Sequence, residues 1–186
     1  MGDSKLISMC ENFSRISQKR KLIFIFDNDN PDIKKKINNE NNEQFKSWGN
    51  NVFSFTLPVP QHRISTPEIS IEHYYTDNII QTFIDNDKGK RRLFLGNEFD
   101  TRGISKDKKF TCTNKNKCGD NKIAIIDYQK NKGTVTLINN ENENVALSKM
   151  EFADIILKEE FPTTIDFSSF IPLFEIIKNI LTQKNN

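Results

Sequence analysis

The chain has no apolar run approaching the roughly 20 residues that a membrane-spanning helix requires, and its first residues lack the apolar segment of a secretory leader. Cysteine is scarce and odd in number, at Cys10, Cys112 and Cys118, which excludes a disulfide framework and points to a reducing compartment. Net charge is also nearly absent. The formal value of +2 neither requires nor excludes a nucleic-acid partner, so local charge has to decide. No internal repeat and no linker composition is visible along the 186 residues, a length that suits one domain with a sizeable core. These absences predict a soluble, cytoplasmic, single-domain chain with no membrane partner. What is abundant is Asn, Lys, Ile and Phe, the bias of an AT-rich genome, which weakens the meaning of the asparagine-rich loops.

Against that background one stretch stands out. Leu22–Phe26 is a continuous apolar run rich in β-branched and aromatic residues, and it ends on Asp27-Asn28-Asp29. Such a run predicts a strand buried on both faces of a parallel sheet. Ligands bind at the carboxyl ends of strands in open α/β sheets. Two carboxylates two residues apart at that end repel each other unless a cation lies between them, which makes hydrated Mg²⁺ or Mn²⁺ the expected occupant. A polar turn that merely ends the strand is the plainer alternative.

The remaining pattern alternates. Leu6, Ile7, Cys10, Phe13 and Ile16 predict an amphipathic helix over 3–16. After Pro31, the lysines, asparagines and glutamates predict a solvated helix to about Trp48, stopped by Gly49 and Asn50. A strand is expected over 52–57, ended by Pro58 and Pro60. Helix, strand, helix, strand implies an α/β fold with a parallel sheet and crossover helices. Glu68 and Glu72, four residues apart, would share a face if their segment were helical. A helix is expected over 78–84, a short strand at 93–95, and a loop or insertion over 97–120. Two strands at 122–127 and 134–138, joined by Asn131-Lys132-Gly133, predict an antiparallel hairpin. Ser148 and Glu151 form a capping-box pattern for a helix to about Glu160, with Met150, Ala153, Ile156 and Leu157 apolar. The last helix falls within 167–181, its regular part beginning near Pro172, and Phe167, Phe170 and Phe174 are expected in the core.

The strand ending Asp27-Asn28-Asp29, the proline-bounded strand at 52–58 and Ile71-Glu72-His73-Tyr74-Tyr75 together resemble the Toprim domain, most closely that of OLD-family nucleases. The resemblance implies a Toprim-like, mostly parallel sheet flanked by helices, with the core over about 1–100 and a C-terminal extension over about 101–186. It implies metal ligation by Asp27 and Asp29, with Glu72 and, less directly, Glu68 as further acidic ligands, for metal-dependent cleavage of DNA or RNA. It matches Lys149, within Ala146-Leu147-Ser148-Lys149, to a lysine that stabilises phosphate charge. Family analogy adds a companion ATPase and a role in defence against phage. The chain departs from the pattern at its start. Toprim domains begin with a strand ending in a catalytic glutamate, and too little sequence precedes Asp27 to hold it. The resemblance then implies that the chain is the C-terminal portion of a longer protein, that an upstream polypeptide supplies the strand, or that the domain is a degenerate interaction module, and that a free strand edge favours self-association into a homo-oligomer.

Other chemistries fit less well. A haloacid-dehalogenase-type phosphatase also starts from Asp-x-Asp, but it carries Thr or Val where this chain has Pro31. An EF-hand loop counted from Asp27 fails at Asp32, where glycine is needed, and at Asn38, where a bidentate glutamate is needed. Cys112 and Cys118 with His62 or His73 have looser spacing than a zinc knuckle. His73, beside Glu72, is a general-base candidate. The runs Lys88-Gly89-Lys90-Arg91-Arg92 and Lys106-Asp107-Lys108-Lys109 suit phosphate contacts as well as they suit solvated loops.

Overall fold

The computed structural model describes residues 2–37, 44–87, 89–128, 137–141 and 143–183. The chain is mixed α/β with small sheets and several helices, and it divides into two compact units, Met1–Tyr74 with Phe167–Asn186, and Tyr75–Asp166. No described helix is long and apolar enough to cross a membrane.

The first unit starts with α1 (Asp3–Phe13), which buries Ile7 and Cys10. It ends three residues before the expected 16, and Ile16 lies exposed beyond it. β1 (Leu22–Phe26) forms as expected, but only Phe26 is buried and Ile25 is 38% exposed. The reason is topological. After α2 (Pro31–Ile37), the segment predicted to continue as helix to Trp48 becomes β2 (Lys46–Gly49), which pairs antiparallel with β3 (Val52–Thr56). β1 pairs parallel with the other side of β3, Leu22 opposite Val52 through Phe26 opposite Thr56. Among the described residues the sheet order is therefore β1-β3-β2, a mixed sheet in which β3 is central and β1 is an edge. Residues 38–43, within the expected helix, lie outside the described residues.

The tight turn from β2 to β3 explains the helix-to-strand change. Gly49, Asn50 and Asn51 all have positive φ, at 91°, 49° and 62°, which glycine and asparagine tolerate and most other residues resist. Asn50 and Asn51 are also tied down, donating from Nδ2 to Ser14 O at 2.6 Å and Gln18 O at 2.9 Å. Trp48 donates from Nε1 to Ser54 Oγ at 2.8 Å, and Lys46 Nζ lies 4.0 Å from its ring centroid. Ile7, Cys10, Phe26, Ile33, Ile37 and Val52 make the core of this layer.

The second unit carries α3 (Asp77–Ile80), shorter than the expected helix because Ile84 belongs to β4 (Ile84–Asn86), which pairs antiparallel with β5 (Gly89–Arg91). β6 (Phe94–Leu95) forms inside the expected 93–95 strand. The stretch 97–120, expected as a loop or insertion, is built into the fold. It contributes β7 (Phe110–Cys112) and the buried Phe99, Cys112 and Cys118. The two C-terminal strands exist as β8 (Ile125–Ile126) and β9 (Leu137–Asn139), but among the described residues they do not pair with each other. β8 pairs antiparallel with β6 and β9 with β7. The proposed turn at Asn131-Lys132-Gly133 lies outside the described residues. Two apolar clusters result, one around Phe94, Phe99, Ile126 and Leu137, the other around Ile80, Leu93, Leu95, Leu147 and Phe152.

α4 (Lys149–Leu157) has the predicted capping box: Ser148 Oγ accepts from Glu151 N–H at 3.1 Å, while Glu151 Oε2 accepts from Ser148 N–H at 2.9 Å. Its buried side is Phe152, flanked by the half-buried Ile155 and Ile156; of the expected apolar face Ile156 packs inward, whereas Met150, Ala153 and Leu157 are exposed. The chain ends in α5 (Ile171–Thr182), with Pro172 in its first turn as expected. Leu173, Ile176 and Ile180 are buried there; Phe167 and Phe174, expected in the core, are exposed, and Phe170 is half-buried against Tyr74 with ring centroids 4.8 Å apart.

Candidate functional site

The acidic strand end is built by asparagines. Asn28, between Asp27 and Asp29, is buried; its N–H donates to Ile69 O at 2.8 Å and its Nδ2 to Pro67 O at 2.8 Å. These two bonds bring the 67–70 backbone to the carboxyl end of β1. Asn30 acts one step further on. Its Oδ1 accepts from Asp32 N–H at 3.1 Å and Ile33 N–H at 3.4 Å at the start of α2, and its Nδ2 donates to Asp3 Oδ2 at 3.2 Å. Asp3, in the first turn of α1, thereby becomes an acidic neighbour of the strand end that the sequence pattern did not single out. Its signal lay only in long-range pairing. Asp27 is half-buried and Asp29 is exposed.

The segment that carries the expected third ligand is arranged differently from the expectation. Glu68 and Glu72 do not share a helical face, because only Ile71–Tyr74 forms a helical turn, of the 3₁₀ type; Glu68 is exposed and Glu72 is buried. Glu72 Oε2 accepts from Ser70 Oγ at 2.6 Å, and His73 Nδ1 accepts from Ser70 N–H at 3.0 Å. His73 O accepts from Arg63 Nε at 3.3 Å and lies 3.1 Å from His62 Nε2. Arg63, Ser70, Glu72 and His73 thus form a buried polar cluster that closes the turn. With one ring nitrogen engaged by backbone and the residue 3% exposed, His73 is a packing and turn-closing group rather than a base open to solvent.

Asp27 and Asp29 offer carboxylate oxygens, the donor type that hard cations such as Mg²⁺ take. The pair does not extend to a larger ligand set. Among the described residues no three His, Cys, Asp or Glu side chains are grouped to hold a metal, and Glu72 is committed to Ser70. The zinc alternative meets the same limit. Cys112 and Cys118 do come together, both thiols donating to Asn114 O, at 3.6 and 3.5 Å, yet no third such residue joins them among those described. Burial and the hydrogen bond with Cys112 push the Cys118 thiol up to about 12, which keeps it protonated in the metal-free chain.

The basic runs are largely consumed by structure. Arg92 forks onto Glu98, Nη1 to Oε1 at 3.0 Å and Nη2 to Oε2 at 2.6 Å, with its guanidinium 3.6 Å from the Phe94 ring centroid. Arg91 lies 3.9 Å from Glu151, and Lys88 is outside the described residues. In the second run Lys106 pairs with Asp120 at 3.0 Å and Lys109 with Asp107 at 3.8 Å. Lys90 remains exposed, on the wall of an open groove of 690 Å³ together with Phe83, Arg91, Asn139, Glu143 and Asn144. Lys149 occupies the first position of α4 in the second unit. Comparison of the chain with models of protein families, with characterised proteins and with solved structures finds no match.

Proposed function

We propose that this chain is a Toprim-like α/β unit of the OLD nuclease type, acting on nucleic-acid phosphodiesters with one Mg²⁺ or Mn²⁺ held by Asp27 and Asp29. The observation that carries the reading is the double tether of Asn28 to Pro67 and Ile69, which joins the acidic end of a strand in parallel pairing to the glutamate-bearing segment. A divalent ion at that place supplies charge neutralisation of the scissile phosphate and an acidified water. Asp27 and Asp29 orient the ion; Asp3, held by Asn30, adds negative potential beside them; Glu72 supports the turn rather than ligating. By the resemblance Lys149 is the phosphate-binding lysine, and the second unit by itself carries a groove lined by Phe83, Lys90 and Arg91 that suits a single strand. A cytoplasmic setting, a companion ATPase that supplies the upstream strand, and a role in phage defence complete it.

The second reading is a Toprim-like interaction module without catalysis, favoured by the burial of Glu72 against Ser70. Plasmid nicking decides between them, measured with the chain alone and with the companion ATPase and upstream segment added. Nicking that requires Mg²⁺ or Mn²⁺ and disappears in Asp27→Ala and Asp29→Ala is the expected result. Nicking that survives both substitutions moves the site elsewhere, and no nicking in any combination refutes the nuclease. Mn²⁺ binding read by paramagnetic broadening, lost in the same variants, reports the ion site independently of cleavage.

A further inference from the structure

The outer edge of β1 has a hydrogen-bonding phase and a charge order that are self-complementary. Leu22 N–H donates to Asn51 O and Leu57 N–H donates to Phe26 O, so in this parallel pair the even-numbered residues 22, 24 and 26 turn their backbone groups toward β3. Ile23 and Ile25 turn theirs outward, and no described strand pairs with them. The edge is apolar, short and devoid of the proline or inward charge that usually protects such edges, and Ile25 is exposed on it. It is entered through Lys19, Arg20 and Lys21 and left through Asp27 and Asp29.

We propose that a second copy of this chain docks here, β1 against β1 in antiparallel sense about a two-fold axis at Phe24. In that register Ile23 faces Ile25 of the second copy, and both pairs have outward N–H and C=O groups, so two ladder rungs form on each side of the axis. Lys21 then flanks Asp27 of the second copy, and the exposed Lys19 and Arg20, in the bend before the strand, lie at the end of the ladder nearest its Asp29. The other in-phase antiparallel registers lose the Lys21–Asp27 pair. A shift that centres the axis on Ile25 sets Ile23 against Asp27, one centred on Ile23 sets Lys21 against Ile25, and parallel pairing brings the two basic entries together. Lys21 Nζ is already engaged with Ile180 O at 2.8 Å and Leu181 O at 3.0 Å, so the exposed Lys19 and Arg20 supply most of the steering charge. Two three-stranded sheets become one six-stranded sheet, with the carboxylates of each copy beside the cations of the other. The proposal shares Asp27 and Asp29 with the ion site of the nuclease reading, but it rests on the β1 edge and is tested by mass rather than by cleavage.

Light scattering and sedimentation of the full chain test it. The expected mass is twice the 21.6 kDa of one chain, and the amides of Ile23 and Ile25 are expected to exchange more slowly as protein concentration rises. Ile25→Pro removes an outward N–H that β3 does not use, so the monomer keeps its thermal midpoint to within a few degrees while association weakens by about tenfold or more. Ile25→Lys, which places a charge on the same edge, gives the same loss without altering φ. Lys19→Glu with Arg20→Glu also weakens the dimer, and adding Asp29→Lys to that chain restores it. A monomer at every concentration up to about 0.1 mM overturns the proposal, as does a dimer that survives both Ile25 variants. A charge-reversed pair that is not rescued by Asp29→Lys overturns the register.

Discussion

Glu98→Ala isolates a buried ion pair of the second unit. Arg92 is 7% exposed, and its guanidinium loses both fork bonds to Glu98 in this variant while keeping Nη1 to Leu93 O at 3.1 Å and the Phe94 ring face. Leu95 N–H, which donates to Glu98 Oε1 at 2.7 Å, loses its acceptor at the same time. Removing one partner of a buried ion pair costs about 3–5 kcal/mol, because the other charge is left desolvated. The retained contacts place the guanidinium near the bottom of that range, and the stranded N–H adds about 1 kcal/mol, giving about 4 kcal/mol. With a urea slope of about 2 kcal/mol per molar, the unfolding midpoint followed by far-UV circular dichroism falls by about 2 M. Arg92→Met combined with Glu98→Ala recovers most of the loss, since no buried charge remains. A loss below about 1 kcal/mol for Glu98→Ala, or a double variant no better than the single one, refutes the reasoning. The outcome also separates Arg92 from the phosphate-contact run in which its sequence neighbours place it.

Gly96→Ala is expected to cost several kcal/mol, on the order of an overpacked core site, because an added Cβ would lie 1.9 Å from the Lys117 carbonyl oxygen; thermal unfolding compared with Gly2→Ala, which meets nothing, measures it. Asn28→Ala removes the side-chain bond to Pro67 and should cost about 1 kcal/mol while loosening residues 67–73, read by faster amide exchange there; unchanged exchange contradicts the tether. Burial raises the Cys10 thiol to about 11 and the Cys118 thiol to about 12, from an ordinary value near 9. Both raised values stabilise the protonated fold below pH 9, and that contribution is lost as pH rises from 9 through 11 to 12; Cys10→Ala with Cys118→Ala flattens this alkaline decline, and both thiols alkylate slowly at neutral pH.

Local signals were legible where a short stretch carries its own physics. The apolar run 22–26, short and rich in β-branched and aromatic residues, reads as a strand and forms one. The Ser148 and Glu151 pair could only open a helix, since each satisfies the other's backbone donor. Asp27 and Asp29 were visible at a strand end because the apolar run stops on them. What the sequence left open was every choice settled by distant partners. Residues 46–49 are polar enough for a solvated helix, yet the turn at Gly49, Asn50 and Asn51 folds them back onto β3, and that pairing wins over local propensity. The faces of α4 and α5 are ambiguous in sequence because apolar residues surround much of each helix, so only packing selects Phe152, Leu173, Ile176 and Ile180. The same holds for the site. Sequence alone determined that two carboxylates follow β1, whereas tertiary structure decided that Asp3 is tied to Asn30, that Glu72 accepts from Ser70, and that β1 is an edge among the described strands. Strand order and the far end of a hydrogen bond are long-range facts, fixed by which backbone groups find partners, and no local spacing encodes them.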